Sequence, residues 1–203
     1  MQVVAATTNP HKTTELSRLF ARGGIDVRPL PSGLDITIEE SGETLQENAR
    51  LKAAGYAQAI QAWVIADDTG LEVDALHGAP GVRSARFAGD AATMADNLQK
   101  LLAELEGVPT EHRRARFVCE LAIGAPDGEI IACASGCCHG VVLHSRRGQG
   151  GFGYDSLFEF VEYRKTLAEL GPVATDVLGH RGIAARRLVR SISRSNWGRF
   201  DPS

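Results

Sequence analysis

Apolar positions follow two rhythms along this chain, short continuous runs and steps of three and four, and the rhythms take turns. Residues 2–6 form an apolar run of strand character. The polar loop TTNPHK follows, and then TTELSRLFA, whose Leu16, Leu19 and Phe20 share one helical face. Residues 27–30 suggest a second strand, bounded by Pro29 and Pro31. The stretch SGETLQENARLKAAGYAQAIQAW spaces Leu45, Ala49, Ala53, Tyr56 and Ile60 at helical steps, which predicts the longest helix, about six turns at the usual pitch. Ser41 or Thr44 is available to cap it. Residues 63–66 then read as a buried strand that ends by delivering Asp67 and Asp68 to a loop. In open α/β sheets, ligands gather at the carboxyl ends of strands.

Further on, TMADNLQKLLAELEG carries Met94, Leu98, Leu101, Leu102 and Leu105 at helical spacing until Gly107 and Pro109 stop it. ARFVCELAIGAPDGEIIACASG reads as two strands joined through Pro126-Asp127-Gly128, and GVVLHS as a further short strand. A glycine-rich run, RRGQGGFGYDSLF, interrupts the pattern before a final helix, GIAARRLVRSI, and residues 195–203 read as a loose tail. There is no internal repeat and no linker long enough to separate independent domains. The expected architecture is α/β: an elongated mixed β-sheet flanked by helices, with two lobes around a central substrate cleft, in one domain covering residues 1–203.

Bulk composition narrows the classes. With 203 residues, 43% hydrophobic and 23% charged, the chain is long enough for one good core or two small lobes. A net charge of -3 gives no global attraction to nucleic acid or to an anionic membrane, although RRLVRSISRSNWGR is locally basic. The N-terminus lacks the features of a signal peptide and no segment approaches a membrane span, so a cytoplasmic protein is expected. Four cysteines fall in the middle third. Cys119 and Cys133 lie in apolar strand-like runs, and vicinal Cys137 and Cys138 would point to opposite faces of a strand, so all four are expected as reduced packing thiols rather than metal ligands.

Five polar clusters carry candidate chemistry. Thr7, Thr8, Asn9, Pro10, His11 and Lys12 lie between a strand and a helix N-terminus, where unpaired N–H groups and the helix dipole favour an anion; an ordinary helix cap fits equally well. Glu39, Glu40 and Glu43 precede the long helix and, taken alone, read as a solvated, dipole-satisfying N-terminus. The adjacent acids Asp67 and Asp68 repel each other, and a glutamate from residues 39–40 sharing a hard divalent cation with Asp68 would relieve that repulsion. In GGFGYD, glycines admit a close ligand while Phe152 and Tyr154 offer stacking and Asp155 a base-edge contact, though either ring could instead be core. His180 and Arg181 form a donor pair suited to a polar base edge or a phosphate.

Taken together, AATTNPHKTTEL, EESGETLQENARLKA, ADDTGLEVDALHGAPGVRSARFAG, GGFGYDSLF and GHRGIAARRL resemble the family of non-canonical purine nucleoside triphosphate pyrophosphatases across nearly the whole chain. The resemblance implies Mg2+-dependent hydrolysis of inosine, deoxyinosine and xanthosine triphosphates to monophosphate and pyrophosphate, by water attack at the α-phosphorus, in a cytosolic homodimer. It implies that residues 7–12 and Lys52 hold the triphosphate, that Glu40 and Asp68 bind magnesium, and that Asp68 is also the catalytic base beside Thr69. Phe152, Gly153, Tyr154 and Asp155 would form the base pocket, with His180 and Arg181 reading the six-position oxygen. Two positions depart from the family's usual pattern: Gly179 replaces a serine and Thr175 stands where a lysine is usual. These departures leave room for a pyrophosphatase of another modified or pyrimidine nucleotide. A non-enzymatic nucleotide- or RNA-binding protein is the remaining alternative.

Overall fold

The computed structural model describes residues 1–34 and 36–194 of the chain; the tail expected at residues 195–203 lies outside them. Strands β1 (Gln2–Ala5), β2 (Asp26–Arg28), β3 (Val64–Val73), β4 (Arg114–Gly124), β5 (Ile130–Val142), β6 (Phe158–Phe160) and β7 (Lys165–Thr166) form a sheet ordered β2-β1-β3-β4-β5-β6-β7. β1 is parallel to β2 and β3, whereas β6 is antiparallel to β5 and β7, so the sheet is mixed as expected. Helices α1 (Pro10–Ala21), α2 (Leu45–Ile60), α3 (Met94–Glu104), α4 (Leu167–Leu178) and α5 (His180–Arg194) flank it. Two compact units result: one from Met1–Asp68, Cys119–Gly136 and the segment from Arg181 onward, the other from Thr69–Val118 and Cys137–His180.

In the first unit, strand alternation sorts side chains onto two helical layers. Val3, Ala5, Ile65, Cys119 and Leu121 pack with Leu16 and Phe20 of α1 and Ala184 and Leu188 of α5. Ala6, Val64, Ala66 and Ala122 pack with Ala49, Ala53 and Ala57 of α2. The second unit gathers Leu71, Val73, Phe117, Cys138, Val142, Tyr154 and Phe158 around Leu98 and Leu101 of α3.

Several boundaries differ from the sequence reading. β3 does not end at Ala66 but runs on through Asp67 and Asp68 to Val73. The acids are therefore strand residues, not loop residues, because cations on the neighbouring helices let them stay buried. The runs expected as two strands at residues 129–136 and 140–145 are one strand of 13 residues, β5. Gly140 lies within that strand rather than opening a new one: a Cβ there would collide with the Glu159 carbonyl of β6. β2 stops at Arg28, before Pro29, and α1 starts at Pro10, inside the expected loop. α2 is shorter than predicted, 16 residues, because Thr44 rather than Ser41 caps it, in a reciprocal box with Glu47, and Gln61 ends it in the left-handed region at φ 51°. α4 has no counterpart in the sequence reading; Gly171 interrupts it at φ 74° and ψ 168°, and Pro172 follows. Strands β6 and β7 also escaped the pattern, being 3 and 2 residues long.

Candidate active site

Alternation along β3 answers the puzzle of the paired acids. Asp67 follows the face of Ile65, and Asp68 the face of Ala66, so the two carboxylates meet different helices. Asp67, 2% exposed, takes Arg181 Nε at 2.6 Å and Lys12 Nζ at 2.5 Å. Cys119 Sγ lies 3.3 Å from the same carboxylate. Burial alone would raise the Asp67 pKa, but the Arg181 and Lys12 charges outweigh it and hold the carboxyl well below its usual range. Arg181, also 2% exposed, extends this network to Glu15 at 2.7 Å. Although burial disfavours its charge, Asp67 and Glu15 raise the Arg181 pKa well above its ordinary value.

Asp68 sits in a different balance. It is 7% exposed; Oδ1 accepts from Lys52 Nζ at 2.6 Å, while Oδ2 is buried without a hydrogen-bond partner among the described residues. Burial raises the Asp68 pKa above 3.8, and Lys52 pulls against that shift without cancelling it. The Lys52 ammonium also donates to the Asp67 carbonyl at 3.1 Å and stands 3.4 Å from Glu40 Oε2. Glu40 is thus the glutamate turned toward Asp68's partner, whereas Glu39 is exposed. Burial would lower the Lys52 pKa, yet Asp68 and Glu40 together raise it.

Among the described residues no three acidic, histidine or cysteine side chains gather into a ready-made metal cage. Magnesium does not need one: it binds through one or two carboxylates and completes its shell with water and phosphate oxygens. The unsatisfied Asp68 Oδ2, with Glu40 on the same ammonium, fits that requirement.

The loop at residues 7–12 is a helix cap. Asn9 caps α1, its Oδ1 accepting from His11 N at 2.9 Å, and Pro10 occupies the first turn. Thr7 Oγ1 accepts from Asn9 N at 3.1 Å. Thr8, Pro10 and His11 are exposed, and Lys12 turns its charge inward to Asp67.

In the second unit the glycine-rich run is built around Asp155, whose Oδ2 accepts from Phe152 N at 2.9 Å. Gly151, at φ 69°, has no room for a Cβ beside that carboxylate. Tyr154 is a core residue, 3% exposed, with its hydroxyl donating to the Ser84 carbonyl at 2.9 Å. Phe152 and Gly153 are half-buried. Phe152, Gly153 and Asp155 line a cavity of about 220 Å³ with Met94, Leu98 and Arg146. His180 opens α5 at 5% exposure; its ring stacks on Phe117, with centroids 4.7 Å apart and an interplanar angle of 17°. Gly179 precedes it where a Cβ would come within 2.6 Å of the Thr175 carbonyl.

Glu15, Phe117 and Cys138 were not singled out for these roles from the sequence. Glu15 follows Lys12 by one helical step, which was a usable signal; the other two look like ordinary strand residues.

A mixed sheet flanked by helices, with a buried acid–lysine centre beyond the β1–β3 parallel pairing, makes this an α/β protein. The chain belongs to the Ham1 family, whose model matches residues 3–191. It is 46% identical over 193 residues to the dITP/XTP pyrophosphatase of Bacillus cereus, covering 94% of each chain. It is 43% identical over 187 residues to the dITP/XTP pyrophosphatase of a Synechocystis species, covering 92% of this chain and 93% of the relative. Its fold is similar to the Ham1 protein of Staphylococcus aureus, with TM-score 0.82 and 34% identity over 97% of this chain and 100% of that one. The HAM1 protein of Coxiella burnetii gives TM-score 0.84 and 34% identity over 96% and 99%.

Proposed function

We propose that this protein hydrolyses non-canonical purine nucleoside triphosphates, those of hypoxanthine and xanthine, to the monophosphate and pyrophosphate. The observation that carries the reading is Asp68: a buried carboxylate with one oxygen unsatisfied, flanked by Lys52 and Glu40, in a chain whose relatives carry the name dITP/XTP pyrophosphatase. Phosphoryl-type transfer needs charge neutralisation and positioning more than a covalent nucleophile. Lys52 neutralises phosphate charge, and residues 7–12 supply hydroxyls and α1 N–H groups for the rest of the triphosphate. Asp68 orients a water and takes its proton as the oxygen bonds to the α-phosphorus and pyrophosphate departs. Its raised pKa suits a base. Magnesium, held by Asp68 and Glu40, would neutralise charge on the phosphate oxygens.

Base selection is assigned to Phe152, Gly153, Asp155 and His180, with Tyr154 supporting the loop from the core. Arg181 belongs to this reading chiefly as the partner that keeps Asp67 ionised and α5 in place. A site that donates to the six-position oxygen would leave donors unpaired against adenine. One observation favours a different base preference: Gly179 and Thr175 stand in the helix end before His180, where the resembled family usually has serine and lysine. The same reading carries a cytoplasmic homodimer; no described helix is long and apolar enough to cross a membrane. Light scattering on the purified chain tests the dimer.

The experiment is pyrophosphate release from a panel of purine and pyrimidine triphosphates with magnesium in ¹⁸O-water. Label in inosine or xanthosine monophosphate, and none in pyrophosphate, supports the reading. Turnover confined to a pyrimidine nucleotide moves the assignment to that substrate, and release of orthophosphate refutes attack at the α-phosphorus.

A further inference from the structure

We infer that Cys138 is a positioning residue for nucleobase selection: its thiol donates to His180 Nδ1 and thereby fixes the imidazole as its Nε2–H tautomer. The inference rests on the nucleotide reading above and deepens it.

Cys138 Sγ lies 3.8 Å from His180 Nδ1, within reach of a sulfur hydrogen bond, and both residues are 5% exposed. Backbone groups of His180 and Phe117 hydrogen-bond the sulfur in the sense that favours its charged form, so they donate to it. With its lone pairs engaged by donors, the sulfur has its single hydrogen to direct at the ring. Burial in this apolar setting pushes the thiol pKa up to about 12, so the hydrogen stays in place throughout the working range of pH. The stacked Phe117 ring restrains the imidazole plane.

In a neutral imidazole one nitrogen accepts and the other donates, so the bond made by Nδ1 decides what Nε2 can do. An Nε2–H donor suits the carbonyl oxygen at the six-position of hypoxanthine or xanthine. Adenine carries an amino group there, and donor would face donor. Accepting from that group requires moving the ring proton to Nδ1 and giving up the bond from Cys138. The cysteine thus selects against adenine without contacting the base.

The test uses the full-length protein, labelled with ¹⁵N-histidine, as wild type, Cys138→Ala and Cys138→Ser. Long-range ¹H–¹⁵N spectra assign the tautomer of His180, and kcat/KM is measured for inosine triphosphate and ATP. The wild type is expected to show the Nε2–H form alone. In Cys138→Ala an Nδ1–H population emerges and the preference for inosine triphosphate over ATP narrows by roughly five- to tenfold, the scale of one hydrogen bond. Cys138→Ser, which keeps a donor, moves both readouts back toward wild type. An Nδ1–H or doubly protonated ring in the wild type, an unchanged tautomer in Cys138→Ala, or an unchanged preference overturns the inference. Absence of turnover on every purine triphosphate overturns the nucleotide reading instead, and the spectra, which need no substrate, distinguish the two failures.

Discussion

Asp67 and Asp68 show how one peptide bond divides structure from chemistry. Asp67 is matched by Arg181 and Lys12, which suits a structural part; Asp68 is left partly unmatched, which suits the proposed reactive part. Removing the Arg181 charge by Arg181→Met takes one cation from two buried carboxylates, Asp67 and Glu15, and the expected cost is about 3–5 kcal/mol in urea unfolding at neutral pH. The pH dependence follows from the depressed Asp67 pKa. The stability it supplies is present above the unfolded value, near 3.8, and is lost as pH falls below that toward the folded value. Asp67→Asn should therefore be less stable at pH 7 and lose this acid sensitivity, as urea melts at several pH values would show. For Asp68 the sign is opposite, because its folded pKa is raised. Its proton is taken up above pH 3.8, so kcat/KM should fall as pH drops through a limb displaced upward from that value. Lys52→Met removes the ammonium that restrains the shift and should move the limb higher still. A limb that stays put would exclude Asp68 as its origin.

At the scale of elements, the site depends on how closely α2 approaches β4. A Cβ on Gly124 would come within 2.6 Å of the Ala53 carbonyl, one residue from Lys52. Gly124→Ala should push the helix outward and destabilise the fold by about 1–3 kcal/mol, read as a lower melting temperature, with a loss of turnover beyond the loss of folded protein. The α3 cap offers a milder case: Thr93 and Asp96 cap the helix reciprocally, and Thr93→Ala should cost about 1 kcal/mol without changing kcat. Helices were legible in the sequence where apolar steps and a capping pair agreed, as in α2 and α3. Strand ends were not. β3 and β5 continue through acids and glycines that normally interrupt a strand, because partners distant in sequence satisfy them: Lys12, Lys52 and Arg181 for the acids, and the β6 backbone for Gly140. The opposed directions of Asp67 and Asp68 could have been read from strand periodicity once the strand was extended by two residues. The pairing of Lys52 with both Glu40 and Asp68 could not, since no local pattern encodes it.

For the whole molecule, the mixed sheet, the Ham1 family and the chemistry of one acid–lysine centre are all compatible with the proposed triphosphate cleavage. The proposed roles separate cleanly enough to compare two single substitutions side by side. Inosine triphosphate turnover with magnesium is measured at one temperature below the unfolding transition of Asp67→Asn and Asp68→Asn, with the folded fraction of each known from circular dichroism. The account predicts that Asp68→Asn stays folded and loses about 10²–10⁴ in kcat, while Asp67→Asn, corrected for its folded fraction, stays within about tenfold of the wild type. Full magnesium-dependent turnover by Asp68→Asn would contradict it.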